Sequence, residues 1–242
     1  MNEQMTFKRY ELKYMMTRAQ TEALLKAMEG HLQLDQYGHS TIRNIYFDTD
    51  SFRLVRRSIE KPLYKEKLRV RSYQRADDES MVFVELKKKF ESVVYKRRVM
   101  LPHKAAMDAL KNDLPLPEDS QIGREIAAFR EFYGKTLMPA MLLTYEREAY
   151  FPVGGVDFRL TLDENILWRT EDIDLGAPVG GTPVLNRDCV LMEIKTPGGI
   201  PLWMTHFLSE HKIYQTSFSK YGAAYQQWLA EDAQVMGGRM YA

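Results

Sequence analysis

Apolar and polar residues alternate along much of the chain, the period-2 pattern of strands with one covered face. In RYELKY, Tyr10, Leu12 and Tyr14 share one face, and Arg9, Glu11 and Lys13 share the other. In KLRVRSY, Leu68 and Val70 oppose Lys67, Arg69 and Arg71; in VFVELKK, Val82, Val84 and Leu86 oppose Phe83, Glu85 and Lys87. The string VVYKRRVM is less regular, with Val94, Lys96 and Arg98 against Tyr95, Arg97 and Val99. Later, Tyr145 lies with Arg147, Arg159 and Thr161 oppose Phe158, Leu160 and Leu162, and Val190, Met192 and Ile194 oppose Glu193 and Lys195. The pattern predicts strands at about 5–15, 41–48, 66–75, 80–89, 92–101, 139–151, 156–169 and 188–196.

Helices fill the longer gaps. Thr17 with Gln20 reads as a capping box opening a helix to about Gly30, with Leu24, Leu25 and Met28 as its apolar stripe. Further helices are expected at about 51–60, from near Pro102, and at about 120–133, 201–211 and 216–234. Gly154 and Gly155 sit where a tight hairpin needs positive φ. With no repeat, low-complexity tract or linker, the chain reads as one domain over residues 1–242.

Composition narrows the class. Hydrophobic residues at 45% and charged residues at 28% exclude disordered and fibrous chains. No apolar run approaches the ~20 residues of a membrane span, and the N-terminal residues lack the apolar stretch of a signal peptide. The single cysteine, Cys189, excludes an internal disulfide and points to a reducing compartment, the cytoplasm. Association with a membrane partner protein stays open.

Charge changes the picture more. The net charge of +1 is made of +8 over residues 1–104 and −7 over the remainder. A local anion site therefore forms part of the expectation. The polar strand faces collect Lys13, Arg69, Arg71, Lys87, Lys96, Arg98, Arg147, Arg159 and Lys195, opposed only by Glu11, Glu85 and Glu193. A solvated face mixes both signs, whereas a lining of one sign repels itself unless a polyanion neutralises it. Removing Arg69 or Arg71 is accordingly expected to leave the empty protein as stable or slightly more so. Eight antiparallel strands suffice to close a barrel with the cations inside, an α+β fold with a basic tunnel clad by helices.

Other motifs carry less. There is no GxxxxGK[ST] loop, and the TPGG string after Lys195 reads as a turn. The five histidines lack zinc-ligand spacing, Cys189 reads as a packed thiol, and Trp168, Trp203 and Trp228 read as packing residues. Asp163 and Glu164 read as turn residues, and Lys67 as exposed near a strand end. Lys88, Lys89 and Arg97 stay outside the site. No helix-turn-helix, RRM or KH signature supports a nucleic-acid partner.

The strings RYELKY, RNIYFDT, LRVRSY, FVELKKK, YKRRV, YEREAY, RLTLDEN, LMEIK and FSKY, in this order, closely resemble the VTC domain, the polyphosphate polymerase domain of the vacuolar transporter chaperone family, in its bacterial stand-alone type. That family belongs to the triphosphate tunnel metalloenzyme, or CYTH-like, superfamily. The resemblance runs from about residue 5 to about 228 and implies an eight-stranded antiparallel closed barrel. It implies phosphate-binding and catalytic roles for Lys13, Arg69, Arg71, Lys87, Lys96, Arg147 and Arg159, and a metal-holding role for Glu193. Lys220 matches a basic residue at a tunnel mouth with Ser219 beside it, while Arg98 and Lys195 join the site by parity alone. The cofactor implied is a divalent metal, manganese first and magnesium second; the ligands implied are ATP or another triphosphate, and polyphosphate. Superfamily hydrolases carry Glu-x-Glu-x-Lys in the first strand, where this chain has Arg9-x-Glu11-x-Lys13. Fewer carboxylates suit a phosphate acceptor over water. Glu11 and Glu85 could still assist hydrolysis, so triphosphatase and non-catalytic polyphosphate or inositol-phosphate binder stand as alternatives.

Overall fold

The computed structural model describes residues 10–91, 93–154 and 157–239. Arg9 and Gly155 lie outside them, as do the first residues of the strands expected from 5 and from 156. In chain order the elements are β1 (Tyr10–Thr17), α1 (Arg18–Ala27), β2 (Leu32–Leu34), β3 (Ser40–Asp48), α2 (Arg53–Ile59), β4 (Tyr64–Ser72), β5 (Met81–Phe90) and β6 (Val93–Pro102). They continue as α3 (His103–Lys111), α4 (Gln121–Tyr133), β7 (Met138–Pro152), β8 (Arg159–Arg169), β9 (Thr182–Pro183), β10 (Cys189–Thr196), α5 (Leu202–Glu210) and α6 (Lys220–Arg239). The expected strands and helices are all present within a few residues; β2 and β9 are additions too short to show a period.

The class is α+β, with one large antiparallel sheet ordered β1-β10-β8-β7-β3-β4-β5-β6, β2 and β9 pairing at its margins. The expected closure is corrected. Among the described residues β1 and β6 are edges with no ladder between them. The sheet curls instead, and side chains bridge its inner surface: Lys87 Nζ of β5 lies 3.0 Å from Glu11 Oε2 of β1. Backbone closure would need the edges about 4.8 Å apart. That gap is filled by long cations and by a cavity of about 360 Å³ lined by Lys96, Arg98, Asp157, Arg159 and Lys195.

Parity decides what the curl encloses. The outer apolar rows pack under helices. Val70, Val84, Leu86 and Val99 meet Ala106 and Leu110 of α3 and Ile126 and Phe129 of α4. Tyr14, Leu160, Leu162, Met192 and Ile194 meet Leu24 and Met28 near α1, and Met204 and Phe207 of α5. Each fully buried side chain of this kind contributes about 1.5–3 kcal/mol. The capping box forms as expected, with Gln20 N donating to Thr17 Oγ1 at 3.2 Å and Thr17 N donating to Gln20 Oε1 at 2.9 Å. Leu25, assigned to the apolar stripe by sequence, is exposed.

The inner surface changes character along its length. A register shift at Thr144/Glu146 faces Asn165, at φ +48°, across β7 and β8. This bulge takes the inward row of β8 from Arg159, Thr161 and Asp163 to Ile166 and Trp168. At the apolar end, Tyr221, Ala224 and Tyr225 of α6 pack on Ile42, Tyr46, Met141, Leu143, Ile166 and Trp168. Tyr221 stacks on Tyr46 with centroids 4.4 Å apart, so α6 covers that end of the inner surface.

Candidate functional site

The cationic end of the inner surface is organised around buried carboxylates. Glu85 of β5, 1% exposed, lies 2.7 Å from Arg69 Nη2, 2.6 Å from Lys96 Nζ and 4.0 Å from Arg71 Nε. Burial would raise its pKa, yet Arg69, Arg71 and Lys96 hold it far below the carboxylate range. Asp163 of β8 is fully buried and takes a two-pronged bond from Arg147, at 2.6 and 2.7 Å, plus the Lys220 ammonium. Against its burial, Lys220 and Arg147 keep it ionised. Glu193 of β10 lies 3.0 Å from Lys195 Nζ and 3.8 Å from Lys13 Nζ. Despite burial, Lys195 and Lys13 pull its pKa well down.

These contacts correct two readings. Asp163 is a mid-strand ion-pair centre rather than a turn residue; its signal, the alternation Arg159-x-Thr161-x-Asp163, was present in the sequence. The lining also does not simply repel itself, since Arg69 is anchored on a buried carboxylate.

Neutral polar groups orient the rest. Arg71 Nε donates to Asn44 Oδ1 at 2.8 Å and its Nη2 to Tyr145 Oη at 3.0 Å. Burial would raise the Tyr145 phenol, but Arg71, Arg147 and Lys220 bring it down to about 8. Arg69 Nη1 donates to Tyr46 Oη at 3.1 Å. Lys13 Nζ donates to the Phe218 carbonyl at 2.7 Å, tying β1 to the segment that enters α6. Burial lowers the pKa of Lys96 to about 8, partly offset by Glu85.

Lys67, expected at an exposed strand end, points inward because the curl covers that end: its Nζ donates to Ser219 Oγ at 2.9 Å. Burial, then Lys87, Lys13, Lys65 and Arg69, lower its pKa to about 7. Ser219 Oγ also accepts from Gly222 N at 3.2 Å, at the start of α6.

Lys13, Arg69, Arg71, Lys87, Arg147, Glu11, Glu85, Glu193, Ser219 and Lys220 thus face one inner surface. Lys96, Arg98, Arg159 and Lys195 line the cavity between the sheet edges. Arg98 lies 4.7 Å over Phe83, and Arg159 lies 4.8 Å over Phe151 with Nη2 3.9 Å from Asp35. Arg159 is thereby a rim residue. Arg97 turns out toward Glu125 of α4, at 3.4 Å.

The donor set suits a hard divalent cation. Glu11 and Glu193 lie on neighbouring strands of this surface, and Thr161, opposite Glu193 in register, has a buried hydroxyl without a hydrogen-bond partner among the described residues. Magnesium and manganese take oxygen ligands from one or two carboxylates and complete their shell with phosphate. A second group of ligand types, His39 with Glu146 and Glu164, is on the outer face, where Arg18 already pairs with Glu164 at 3.1 Å.

Comparison with known proteins supplies the family. The VTC domain family model matches residues 8–229. Among solved structures, a candidate adenylate cyclase of Bacillus halodurans is similar with a TM-score of 0.56 and 17% identity, over 89% of this chain and 95% of that one. A candidate adenylyl cyclase from Hippeastrum, with a dominant triphosphatase activity, is similar with a TM-score of 0.50 and 16% identity, over 88% of this chain and 93% of that one. Both likenesses concern the fold alone. No curated protein is a significant match.

Proposed function

The chain belongs to the VTC domain family, and on that premise we propose that it is a divalent-metal-dependent phosphotransferase that passes the γ-phosphoryl group of ATP to a growing polyphosphate chain. The observation that carries this reading is the curled inner surface itself. Its arginines and lysines outnumber the carboxylates they meet, and they run from the rim cavity to the start of α6. A linear polyanion neutralises such a lining along its length, which a single phosphate cannot do.

In this reading Arg69 and Arg71 grip the phosphates of the nucleotide with forks already oriented by Glu85, Tyr46, Asn44 and Tyr145. Preorganised donors stabilise the charge that builds on the transferred group without reorganising during reaction. Arg147 and Lys220, held by Asp163, cover the inner wall, and Lys96, Arg98, Arg159 and Lys195 guide the chain at the rim. Glu193 and Glu11 would hold the metal, which supplies charge neutralisation between phosphates. The acceptor is a terminal phosphate, an anion that needs no general base.

Triphosphate hydrolysis is the second reading, favoured by Glu11 and Glu193, two carboxylates on adjacent strands able to orient water. It accords with the activity of the Hippeastrum protein. Incubation of the purified chain with ATP and Mn²⁺, then with Mg²⁺, separates the cases by product. Long polyphosphate supports the polymerase, orthophosphate without polymer supports the hydrolase, and intact ATP with measurable binding supports a non-catalytic module. Among the described residues no helix is long and apolar enough to cross a membrane.

A further inference from the structure

Lys67 stands apart from those cations of the inner surface that hold a carboxylate. Arg69 and Lys96 share Glu85, Arg147 and Lys220 share Asp163, Lys13 and Lys195 share Glu193, and Lys87 holds Glu11. Among the described residues no carboxylate pairs with Lys67, whose one hydrogen bond goes to Ser219 Oγ. The groups facing it are Lys65 and Arg69 on its own strand, Lys87 on β5, Lys13 on β1 and the start of α6. Asp48, at the end of neighbouring β3, is committed elsewhere: it accepts from Leu54 N, Val55 N and Tyr221 Oη. An ammonium in such company is repelled from several sides, and its half-buried setting strips part of its water as well.

We propose that Lys67 stands in the empty tunnel as a neutral amine and is charged by an arriving polyphosphate anion, so that anion binding takes up a proton from solvent at this residue. The inference rests on the reading of the tunnel as a polyphosphate site. The shift of Lys67 toward about 7 agrees with it. A phosphate group near Ser219 supplies the missing counter-charge; the amine gains a proton from water or buffer and turns from the Ser219 hydroxyl to a phosphate oxygen. Substrate capture thereby carries a pH dependence that the permanently charged arginines cannot give.

The experiment is calorimetric titration of tripolyphosphate into the metal-free chain at pH 8, in two buffers of different protonation enthalpy, for wild type, Lys67→Arg and Lys67→Met. Protons lost by the ligand itself are common to all three proteins. Wild type is expected to take up close to one proton more than either variant, and Lys67→Arg to keep most of the affinity. If Lys67→Arg does not fold, Lys67→Met gives the same comparison. Equal proton uptake in wild type and variant overturns the proposal, as does complete loss of binding in both folded variants, since Lys67 is one cation of many. No binding of tripolyphosphate to wild type is a different failure: it removes the tunnel reading and this inference with it.

Discussion

Arg69 shows how far a single side chain departs from the charge pattern that announces it. Like charges on alternate positions of one strand suggest that deleting one relieves strain. Its guanidinium instead binds a carboxylate that is 1% exposed, so deletion leaves Glu85 with Lys96 and a distant Arg71. Arg69→Ala is expected to destabilise the empty protein by about 1.5–3 kcal/mol, the worth of a hydrogen bond to a charged group. It should also weaken tripolyphosphate binding roughly tenfold to hundredfold. Urea unfolding with and without ligand reads both quantities, and unchanged empty-state stability would show that repulsion outweighs the ion pair. Glu193 predicts a split of the opposite kind. Glu193→Gln removes a negative charge from an anion site, so metal-free affinity for tripolyphosphate should hold or rise. Metal-dependent turnover of ATP should fall more than tenfold, because a hard cation loses its carboxylate. A purely structural Glu193 would lower both together.

At the scale of elements, α6 is fastened to the sheet through Asp48, which also caps α2 in place of a capping side chain at Phe52. Tyr221→Phe removes one buried bond while Leu54 N and Val55 N still satisfy the carboxylate. A loss of about 1 kcal/mol follows, with tripolyphosphate affinity reduced as Ser219 and Lys220 at the head of α6 loosen. Thr17→Ala, at the start of α1 on the outer face, should cost a similar ~1 kcal/mol and leave affinity untouched. Comparing the two by thermal melts and titration separates the plug helix from ordinary stability; equal effects on affinity would deny α6 its part. Elements were legible in the sequence where a period could repeat. The alternation in β4 and β5 alone puts Arg69, Arg71 and Lys87 on the inner face. It runs out where the period breaks: past the bulge at Asn165 the inward row passes to Ile166 and Trp168, which the parity of Arg159, Thr161 and Asp163 does not give. The covered end of β4, which half-buries Lys67, depends on curl, and parity along one strand says nothing about how edges approach. For the same reason the closed barrel was expected and an open, curled sheet was found.

Across the whole molecule, the inner surface sets how stability responds to pH. Glu85, Asp163, Glu193 and Glu11 all have lowered pKa values in the folded state, each against its own burial. Their contribution is present above the ordinary carboxylate range near ~4.3 and is lost as pH falls through the folded values. The lysines act in the other direction from most. Lys67 at about 7, Lys96 at about 8, and Lys13 and Lys65 below their usual value bind fewer protons folded than unfolded, from there up to the ordinary lysine value near ~10.4. Tyr145 at about 8 does the same up to about 10. Where the unfolded chain holds more protons, stability rises with pH. The empty protein is therefore expected to gain stability from pH 7 to about pH 9.5, at a slope of at most about 1.4 kcal/mol per pH unit for each fully converting group. Above about pH 10 the trend reverses, because Tyr133, at about 12, and Tyr14 and Tyr221 have folded values above the unfolded one and lose their contribution as they ionise. Saturating tripolyphosphate restores the protons to the lysines, so ligand-induced stabilisation should be largest near pH 7 and shrink toward pH 9.5. Urea unfolding of the metal-free chain at pH 7, 8.5 and 9.5, with and without tripolyphosphate, measures both slopes. A flat or falling profile for the empty protein would mean that its lysines are already charged, and that the carboxylates balance the lining without any help from a bound anion.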